Sequence, residues 1–348
     1  MTKIRALALF SGGLDSILAA RVVAAQGIEV LAVKFVTPFF DYEILADIPR
    51  YTRTVQEKFG INVLVEDISV GYLDLLHHPR HGFGKNFNPC IDCKIFMLTR
   101  ARDLMDELGA AFLVTGEVLG QRPMSQRLDT LHVISRDSNS RPFLLRPLSA
   151  KLLPETDPER QGLVDRERLL DFRGRGRSRQ IALAGEFGIK DFPAPAGGCI
   201  LADPILSRRI ARLYADQFVL RPENITVSDV RLLLVGRQFI LPGGGWLILG
   251  RIEKENDQIA QQAGPDDALL YMEERPGPAA LLRQAASCYA NASARDRDLQ
   301  LAAGLVVRYG RKEKGVAQAG EVVVLLAGER QMIIADPLDD LQSAGWML

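Results

Sequence analysis

The chain has 348 residues, 47% hydrophobic and 25% charged, enough material for two folded domains and a composition that excludes general disorder. Forty-three basic residues balance forty-three acidic ones, so the net charge is zero. Any nucleic-acid contact then has to come from local basic patches and not from whole-molecule steering.

Taken in chain order, Arg5–Phe10 reads as a compact apolar strand and Asp15–Gln26 as a helix with an Ile17, Leu18, Val22 face. Glu29–Val36 is strand-like, Ile48–Phe59 helical, and Asn62–Ile68 alternates apolar and polar residues. Gly71–Asn88, with three histidines, Pro79, Gly82 and Gly84, reads as a long irregular stretch; that length in a compact domain marks a functional loop. Ile95–Leu108 has helical spacing and Ala111–Thr115 is a buried strand. This alternation predicts an α/β fold, a doubly wound and mostly parallel sheet with helices on both faces. From Pro147 to about Tyr214 the segments are helical and charge-rich, broken by Arg173–Arg179 and by the Pro- and Gly-rich Phe192–Cys199. After Pro222, short strands at Leu232–Val235, Trp246–Ile252, Ala268–Met272 and Val322–Leu326 predict a smaller C-terminal α+β domain. Ala279–Ala294 reads as an Ala-rich helix that buries Cys288. The expected organisation is 1–148, an extension of the same unit over 149–215, and 216–348.

No apolar run approaches the ~18 residues of a membrane helix. The apolar start at Lys3–Phe10 is interrupted by Ser11–Ser16 before it can serve as an export signal. Four cysteines (Cys90, Cys93, Cys199, Cys288) without such a signal point to a cytoplasmic protein with reactive or metal-bound thiols, not a disulfide scaffold.

The most informative motif is Ser11-Gly12-Gly13-Leu14-Asp15-Ser16, between a strand and a helix start. Two glycines permit a tight turn and close approach of a ligand, and the amides of the first helical turn face an anion. Ser11 and Ser16 add hydroxyl groups, and Asp15 is suited to hold a cation beside phosphates. The loop lacks the Gly-Lys-Ser/Thr of a Walker loop and the G-x-G-x-x-G of a dinucleotide site. A capped glycine turn is the bland alternative; strand, hexapeptide and helix in one place favour a phosphate site.

This hexapeptide resembles the PP-loop of ATP pyrophosphatases, which adenylate a substrate and release pyrophosphate. Three further stretches narrow the resemblance to the tRNA thiouridine synthetase branch, over roughly residues 1–215. They are Asn88-Pro89-Cys90-Ile91-Asp92-Cys93, Thr115-Gly116-Glu117-Val118-Leu119-Gly120-Gln121-Arg122-Pro123-Met124-Ser125-Gln126, and Pro195-Ala196-Gly197-Gly198-Cys199. The resemblance implies an adenine nucleotide alpha hydrolase-like fold and an ATP-dependent tRNA sulfurtransferase using ATP, Mg²⁺ and a sulfur donor, either a persulfide carrier or sulfide. It also places Gly116, Glu117, Gln121 and Ser125 beside the nucleotide, at the carboxyl edge where open sheets bind ligands. Phe35 is a candidate adenine contact, with core packing the alternative. For Glu117 the alternative is a helix-start acid.

Cys90 and Cys93 precede a helical run, and a helix N-terminus favours thiolate. Two readings follow from the resemblance. In one, similar to single-nucleophile thiouridylases with N-P-D-x-x-C, Cys93 carries a persulfide and Cys199 resolves it; Cys90 stands where that pattern has Asp. In the other, similar to iron–sulfur thiolation enzymes, Cys90, Cys93 and Cys199 hold a [4Fe–4S] cluster with one iron left open. The C-x-x-C with one remote cysteine favours the cluster. A zinc site drawing on His77, His78 or His81 is a third, weaker option.

Lys85, in a Gly-flanked loop, and Arg173, Arg175, Arg177 and Arg179, at alternate positions, are candidate contacts to tRNA phosphate. Lys151 is either a phosphate contact or a solvated surface lysine. Leu249-Gly250-Arg251-Ile252-Glu253-Lys254-Glu255-Asn256-Asp257, with Asp266-Asp267 and Pro276-Gly277-Pro278, resembles the RNA-binding domain of NFACT proteins. That resemblance implies RNA contacts at Arg251 and Asn256, with Ile252 where the pattern usually has Asn. An amidating ligase on the same fold, or a non-catalytic RNA-binding protein, are the rival functions. The arginine run speaks against the first and the intact phosphate loop against the second.

Overall fold

The apolar runs of the first half assemble into a five-stranded sheet in a computed structural model that describes residues 4–194, 199–215, 225–339 and 345–348. The strands are β1 (Arg5–Leu9), β2 (Glu29–Val36), β3 (Asn62–Asp67), β4 (Phe112–Thr115) and β5 (Leu144–Leu145), in the order β3-β2-β1-β4-β5. Every neighbouring pair is parallel. The helices between and after them are α1 (Leu14–Ala24), α2 (Ile48–Phe59), α3 (Ser69–His77), α4 (Cys90–Glu107), α5 (Leu128–Asp137), the single turn α6 (Asp157–Arg160) and α7 (Ser178–Glu186). Parallel strands need cover on both faces, and Ala6, Leu7 and Ala8 of β1 are accordingly inaccessible. Helix α1 buries Leu14, Ile17, Leu18, Val22 and Val23 in the same core, each side chain worth about 1.5–3 kcal/mol of transfer free energy.

Local signals set the boundaries. Helix α2 starts where the Asp47 side chain accepts from Arg50 N, with a proline in the first turn, and stops at Gly60 in a left-handed conformation. The expected irregular stretch at Gly71–Asn88 is a helix in its first part. Asp67 Oδ1 accepts from Ser69 N at 2.9 Å, and Tyr72, Leu73 and Leu76 are buried along α3. Gly71 masks this helix in the sequence because glycine costs about 1 kcal/mol there. It is needed, since a Cβ on it would lie 2.8 Å from the Phe96 ring of α4.

The chain divides into two compact units, Met1–Ile200 and Leu201–Leu348. The second contains α8 (Pro204–Tyr214), α9 (Val227–Leu233), α10 (Glu253–Gln261) and α11 (Ala292–Tyr309). Its strands are β6 (Arg237–Ile240), β7 (Trp246–Leu249), β8 (Ala268–Tyr271), β9 (Ala280–Leu282), β10 (Gly320–Leu326) and β11 (Glu329–Ala335), an antiparallel sheet ordered β11-β10-β8-β9-β7-β6. Leu232–Val235 is not a strand: a capping box between Thr226 and Asp229 starts α9 there, and the strand begins after Gly236. Ala279–Ala294 is not a helix either. Its first residues pair as β9 with both β7 and β8, so ladder formation overrides alanine's helical preference. Cys288 is half-buried in the turn that follows, its Sγ 2.7 Å from Gln284 Oε1. Among the described residues no helix is long and apolar enough to cross a membrane.

Candidate active site

The strand order reverses between β1 and β4, and at such a switch point the loops leaving two carboxyl ends part to form a crevice. The loop after β1 is Ser11–Ser16. Gly12 has φ +81°, a conformation that only glycine adopts without strain. Ser16 Oγ donates to Gly13 O at 2.8 Å, Ser11 Oγ to Ser16 Oγ at 3.2 Å, and Gly13 N to Ser11 Oγ at 3.3 Å. The loop is thus shaped by its own serines; Ser16 N already donates to Gly13 O at 3.0 Å, which leaves the amides of Leu14 and Asp15 as the first-turn donors without an intrahelical acceptor.

The loop after β4 closes on it. A Cβ on Gly116 would lie 2.6 Å from the carbonyl carbon and oxygen of Asp15 and from Ser16 N, so only glycine permits this approach. Gln121 Nε2 donates to Asp15 Oδ2 at 3.0 Å. Asp15 Oδ1, Gln121 Oε1 and Glu117 Oε1 are buried with no hydrogen-bond partner among the described residues. Unpaired buried oxygens are costly, about 1–3 kcal/mol each, and call for a ligand or ion.

Glu117 is 2% exposed. Its Oε2 accepts from Arg146 Nε at 2.9 Å and Thr115 Oγ1 at 3.2 Å, and Lys94 Nζ lies 3.7 Å from Oε1. Burial alone would raise its pKa; the Arg146 and Lys94 charges and the hydrogen bonds from Arg146 and Thr115 outweigh burial and hold the carboxyl below its usual value. No helix starts at Glu117, the next being α5 at Leu128, so a macrodipole role is excluded. Phe35 is buried near the end of β2, Ser125 is buried, and Lys85 is exposed on the loop between α3 and α4.

Cys90 opens α4, and Asn88 Nδ2 donates to its Sγ at 3.4 Å. Cys93 sits one turn further, its amide already bonded to Pro89 O at 2.8 Å. It therefore lies beyond the unpaired amides, and the expected helix-terminal thiolate does not hold for it. Burial pushes its pKa up to about 11, against a hydrogen bond from Tyr72 and the charge of Lys94, which pull it down. Cys90 and Cys199 are both within electrostatic reach of Tyr72 and Cys93; Cys199 is exposed. Of the motif ending in Cys199, Pro195–Gly198 lies outside the described residues. Among the described residues no three His, Cys, Asp or Glu side chains are arranged to hold a metal ion. His77 and His78 stack on each other with centroids 4.0 Å apart. His81 bonds Asp137 Oδ2 through Nε2 at 3.0 Å, and its amide donates to Asp92 Oδ2 at 2.9 Å, which ties the loop to α4 and α5.

The arginine run lies along the loop after β4, since Gly174 N donates to Leu119 O at 2.8 Å. Arg173 and Arg175 are exposed and Arg177 half-buried. Arg179 pairs with Asp171 at 2.5 Å and lies 4.4 Å over the Phe172 ring, so its charge is locally compensated. Lys151 Nζ donates to Glu167 O at 2.8 Å and pairs with Glu167 Oε2 at 3.2 Å. In the second unit Arg251 Nη2 pairs with Glu255 Oε1 at 2.5 Å. Asn256 Oδ1 accepts from Ala279 N at 3.0 Å, and a Cβ on Gly250 would meet that oxygen at 2.0 Å. Asn256 therefore shapes the turn that carries Arg251.

Four side chains that the motifs do not single out complete the first site: Lys34, Tyr72, Lys94 and Arg146. Lys34 is 2% exposed; its Nζ donates to Ser11 O at 2.8 Å and pairs with Asp41. The one sequence signal for it is a lone cation inside the apolar run Leu31–Val36.

Comparison with known proteins adds family. Residues 1–151 match the family described as thiamine biosynthesis protein (ThiI), and residues 236–347 match the NFACT protein RNA-binding domain. The chain thus joins a ThiI-family N-terminal region to an NFACT-type RNA-binding domain. It is 28% identical over 144 residues to a probable tRNA sulfurtransferase of Lysinibacillus sphaericus, covering 41% of this chain and 34% of that protein. It is 30% identical over 144 residues to a tRNA sulfurtransferase of Desulfurococcus amylolyticus, covering 41% and 29%. The chain therefore spans about a third of the length of these relatives. Among solved structures it is similar to a 4-thiouridine synthetase–RNA complex with bound ATP, with TM-score 0.34 and 20% identity over 53% of this chain and 51% of the other.

Proposed function

We propose that this chain is an ATP-dependent tRNA sulfurtransferase that adenylates a uridine carbonyl oxygen and replaces it with sulfur. The observation that carries the reading is the set of buried oxygens on Asp15, Gln121 and Glu117 that accept no hydrogen bond, the last with Lys94 Nζ 3.7 Å away, gathered where the phosphate loop meets the loop after β4. The sulfurtransferase relatives supply the reaction class.

In this reading the triphosphate of ATP lies on the first-turn amides of α1 and the Ser11 and Ser16 hydroxyls. Asp15 Oδ1, an anionic oxygen without a partner, fits Mg²⁺, which takes one or two carboxylates together with substrate phosphates; bound there, the ion neutralises charge developing on the leaving pyrophosphate. The uridine carbonyl oxygen attacks the α-phosphorus and pyrophosphate departs, leaving a carbon bonded to a good leaving group. Lys94 and Arg146 hold Glu117 ionised beside the loop.

Sulfur then arrives from Cys93, as the outer sulfur of a persulfide taken over from a persulfide carrier, whose own thiol is released in the exchange. The terminal sulfur of a Cys93 persulfide bonds the activated carbon and AMP leaves with the former carbonyl oxygen. Cys199 thiolate attacks Cys93 Sγ, frees the thiocarbonyl and leaves a Cys93–Cys199 disulfide that an external dithiol must reduce. No step here is routed through an iron–sulfur cluster, which would draw on Cys90 as well as Cys93 and Cys199. Arg173, Arg175 and the NFACT-type domain are the proposed tRNA contacts; Lys85 and Arg251 are secondary ones.

The test is pyrophosphate release with and without bulk tRNA, joined to mass spectrometry of tRNA nucleosides from cells with and without the protein. tRNA-stimulated release and loss of one thiolated nucleoside are expected. Release with a small metabolite and no tRNA would replace the reading with a ligase; no release at all would leave an RNA-binding protein.

A further inference from the structure

Beside Cys90 the loop between α3 and α4 presents a feature that nucleotide binding and sulfur transfer leave unused. The rings of Phe83 and Phe87 lie with centroids 4.2 Å apart at 31°. Phe83 is 41% exposed, and so is its neighbour Met124, at 39%. Single exposed apolar side chains are common on protein surfaces, but a close, tilted ring pair on the loop that Met124 approaches at Gly84 and Asn88 is a concentrated apolar patch.

The patch is built and not incidental. Gly84 N donates to Asn88 O at 3.0 Å, and Asn86 N to Asn88 Oδ1 at 3.1 Å. Asn88 Nδ2 reaches Cys90 Sγ at 3.4 Å and Met124 Sδ at 3.8 Å. A Cβ on Gly84 would lie 2.7 Å from Asn88 Nδ2 and 2.8 Å from Met124 Cε, so the loop packs closely on the ends of these two side chains. One amide side chain thus joins the patch to the first thiol of α4. Lys85 and Arg122, each exposed and within two residues of a patch member, supply positive charge at its edge.

We propose that Phe83, Phe87 and Met124 form the platform on which an unpaired RNA base stacks when its nucleotide is presented to the thiols. An enzyme that acts on a base has to take it out of the helical stack, and aromatic side chains replace the lost stacking partner. Apolar faces take the base while flanking cations take the adjoining phosphates. Asn88 holds the platform against Cys90, so a base seated there lies at the start of α4, one helical turn from Cys93. The inference rests on the RNA-directed reading above and adds to it where the base sits.

The experiment uses the full chain and an octauridylate carrying one 5-iodouridine, a probe that crosslinks on irradiation to the ring it stacks against. A crosslink mapped by mass spectrometry to Phe83 or Phe87 is expected. Its yield should fall roughly tenfold or more in Phe83→Ala, since stacking on one aromatic is worth about that much, and should survive in Phe83→Trp. Thermal midpoints of the variants check the fold, which an exposed ring does not support. Crosslinks only elsewhere, none at all, or an undiminished yield in Phe83→Ala overturn the platform, the last leaving the rings as a protein-docking surface. Thiouridine formation without this crosslink overturns the platform alone; the crosslink without thiouridine overturns sulfur transfer alone.

Discussion

Lys34 Nζ sits under the phosphate loop and donates to the main-chain carbonyl of Ser11 at 2.8 Å. The carbonyl of residue 11 belongs to the peptide whose N–H is that of Gly12. A cation that holds the oxygen inward turns the N–H outward, toward the place an anion would take. Asp41, in a left-handed conformation with φ 58°, pairs with the Lys34 side chain from the other side.

Lys34→Met therefore should weaken ATP binding about tenfold, the scale of about 1.4 kcal/mol for losing a charge-assisted hydrogen bond that orients the loop. Lys34→Arg should recover part of it. Titration calorimetry with ATP checks this, and wild-type affinity in the Met variant would reduce Lys34 to a packing residue.

Asp15→Ala should abolish pyrophosphate release without lowering the melting temperature. Asp15 Oδ1 has no partner, so removing it relieves a burial penalty of about 1–3 kcal/mol, which offsets the lost bond to Gln121. A variant that consumes ATP normally would remove Asp15 from the site, and one that fails to fold would make it structural.

Gly116→Ala should destabilise the first unit. Its Cβ would meet main-chain atoms at 2.6 Å, and backbone cannot swing aside as a side chain can. Overpacking of this kind costs about 1–3 kcal/mol, several degrees of melting temperature for a domain of this size. An unchanged melting curve would mean that the two loops lie further apart than described.

The rate of Cys93 alkylation should climb with pH up to about 11, where burial has pushed its pKa. Below that value the thiol is mostly protonated, so the reactive fraction grows roughly tenfold per pH unit. Tyr72→Phe removes a hydrogen bond that favours the thiolate and should move the profile further up. A plateau near pH 8 would show a thiol that is ionised in spite of its surroundings.

Cys90 separates the two sulfur routes. With a persulfide on Cys93, Cys90→Ala stays largely active, while Cys93→Ala and Cys199→Ala are dead. With a cluster, anaerobically prepared protein is brown, holds about four irons per site, and loses iron and thiolation together in Cys90→Ala. Colour, iron content and activity of that one variant decide the matter.

Much of this was readable from local pattern. The bounds of α2 follow from its Asp47 cap and from Gly60, and those of β2 from an apolar run interrupted only by Lys34 after its first residue. The phosphate loop is contiguous in sequence, so strand, glycines and helix start are legible together. Other features depend on distant neighbours. Helix α3 carries a glycine that makes sense only beside Phe96 of α4, and Ala280–Leu282 is a strand because β7 and β8 flank it. Lys34, Arg146 and Tyr72 each join the candidate site through a partner 21 to 29 residues away in sequence, Ser11, Glu117 and Cys93 respectively, and spacing does not announce such pairs.

Leu119 and Gly174 are joined main chain to main chain, and Ser149 Oγ both accepts from Leu119 N at 3.0 Å and donates to Phe172 O at 2.6 Å. The stretch bearing Arg173 and Arg175 is therefore stitched to the loop that carries Gln121, and through Gln121 to Asp15. On the proposed function, a polyanion drawing on those arginines acts on the same loop that meets the nucleotide. Occupancy at one place would then carry a free-energy consequence at the other, and reciprocity would fix its size: whatever factor a nucleotide imposed on the affinity for RNA, RNA would impose on the affinity for the nucleotide.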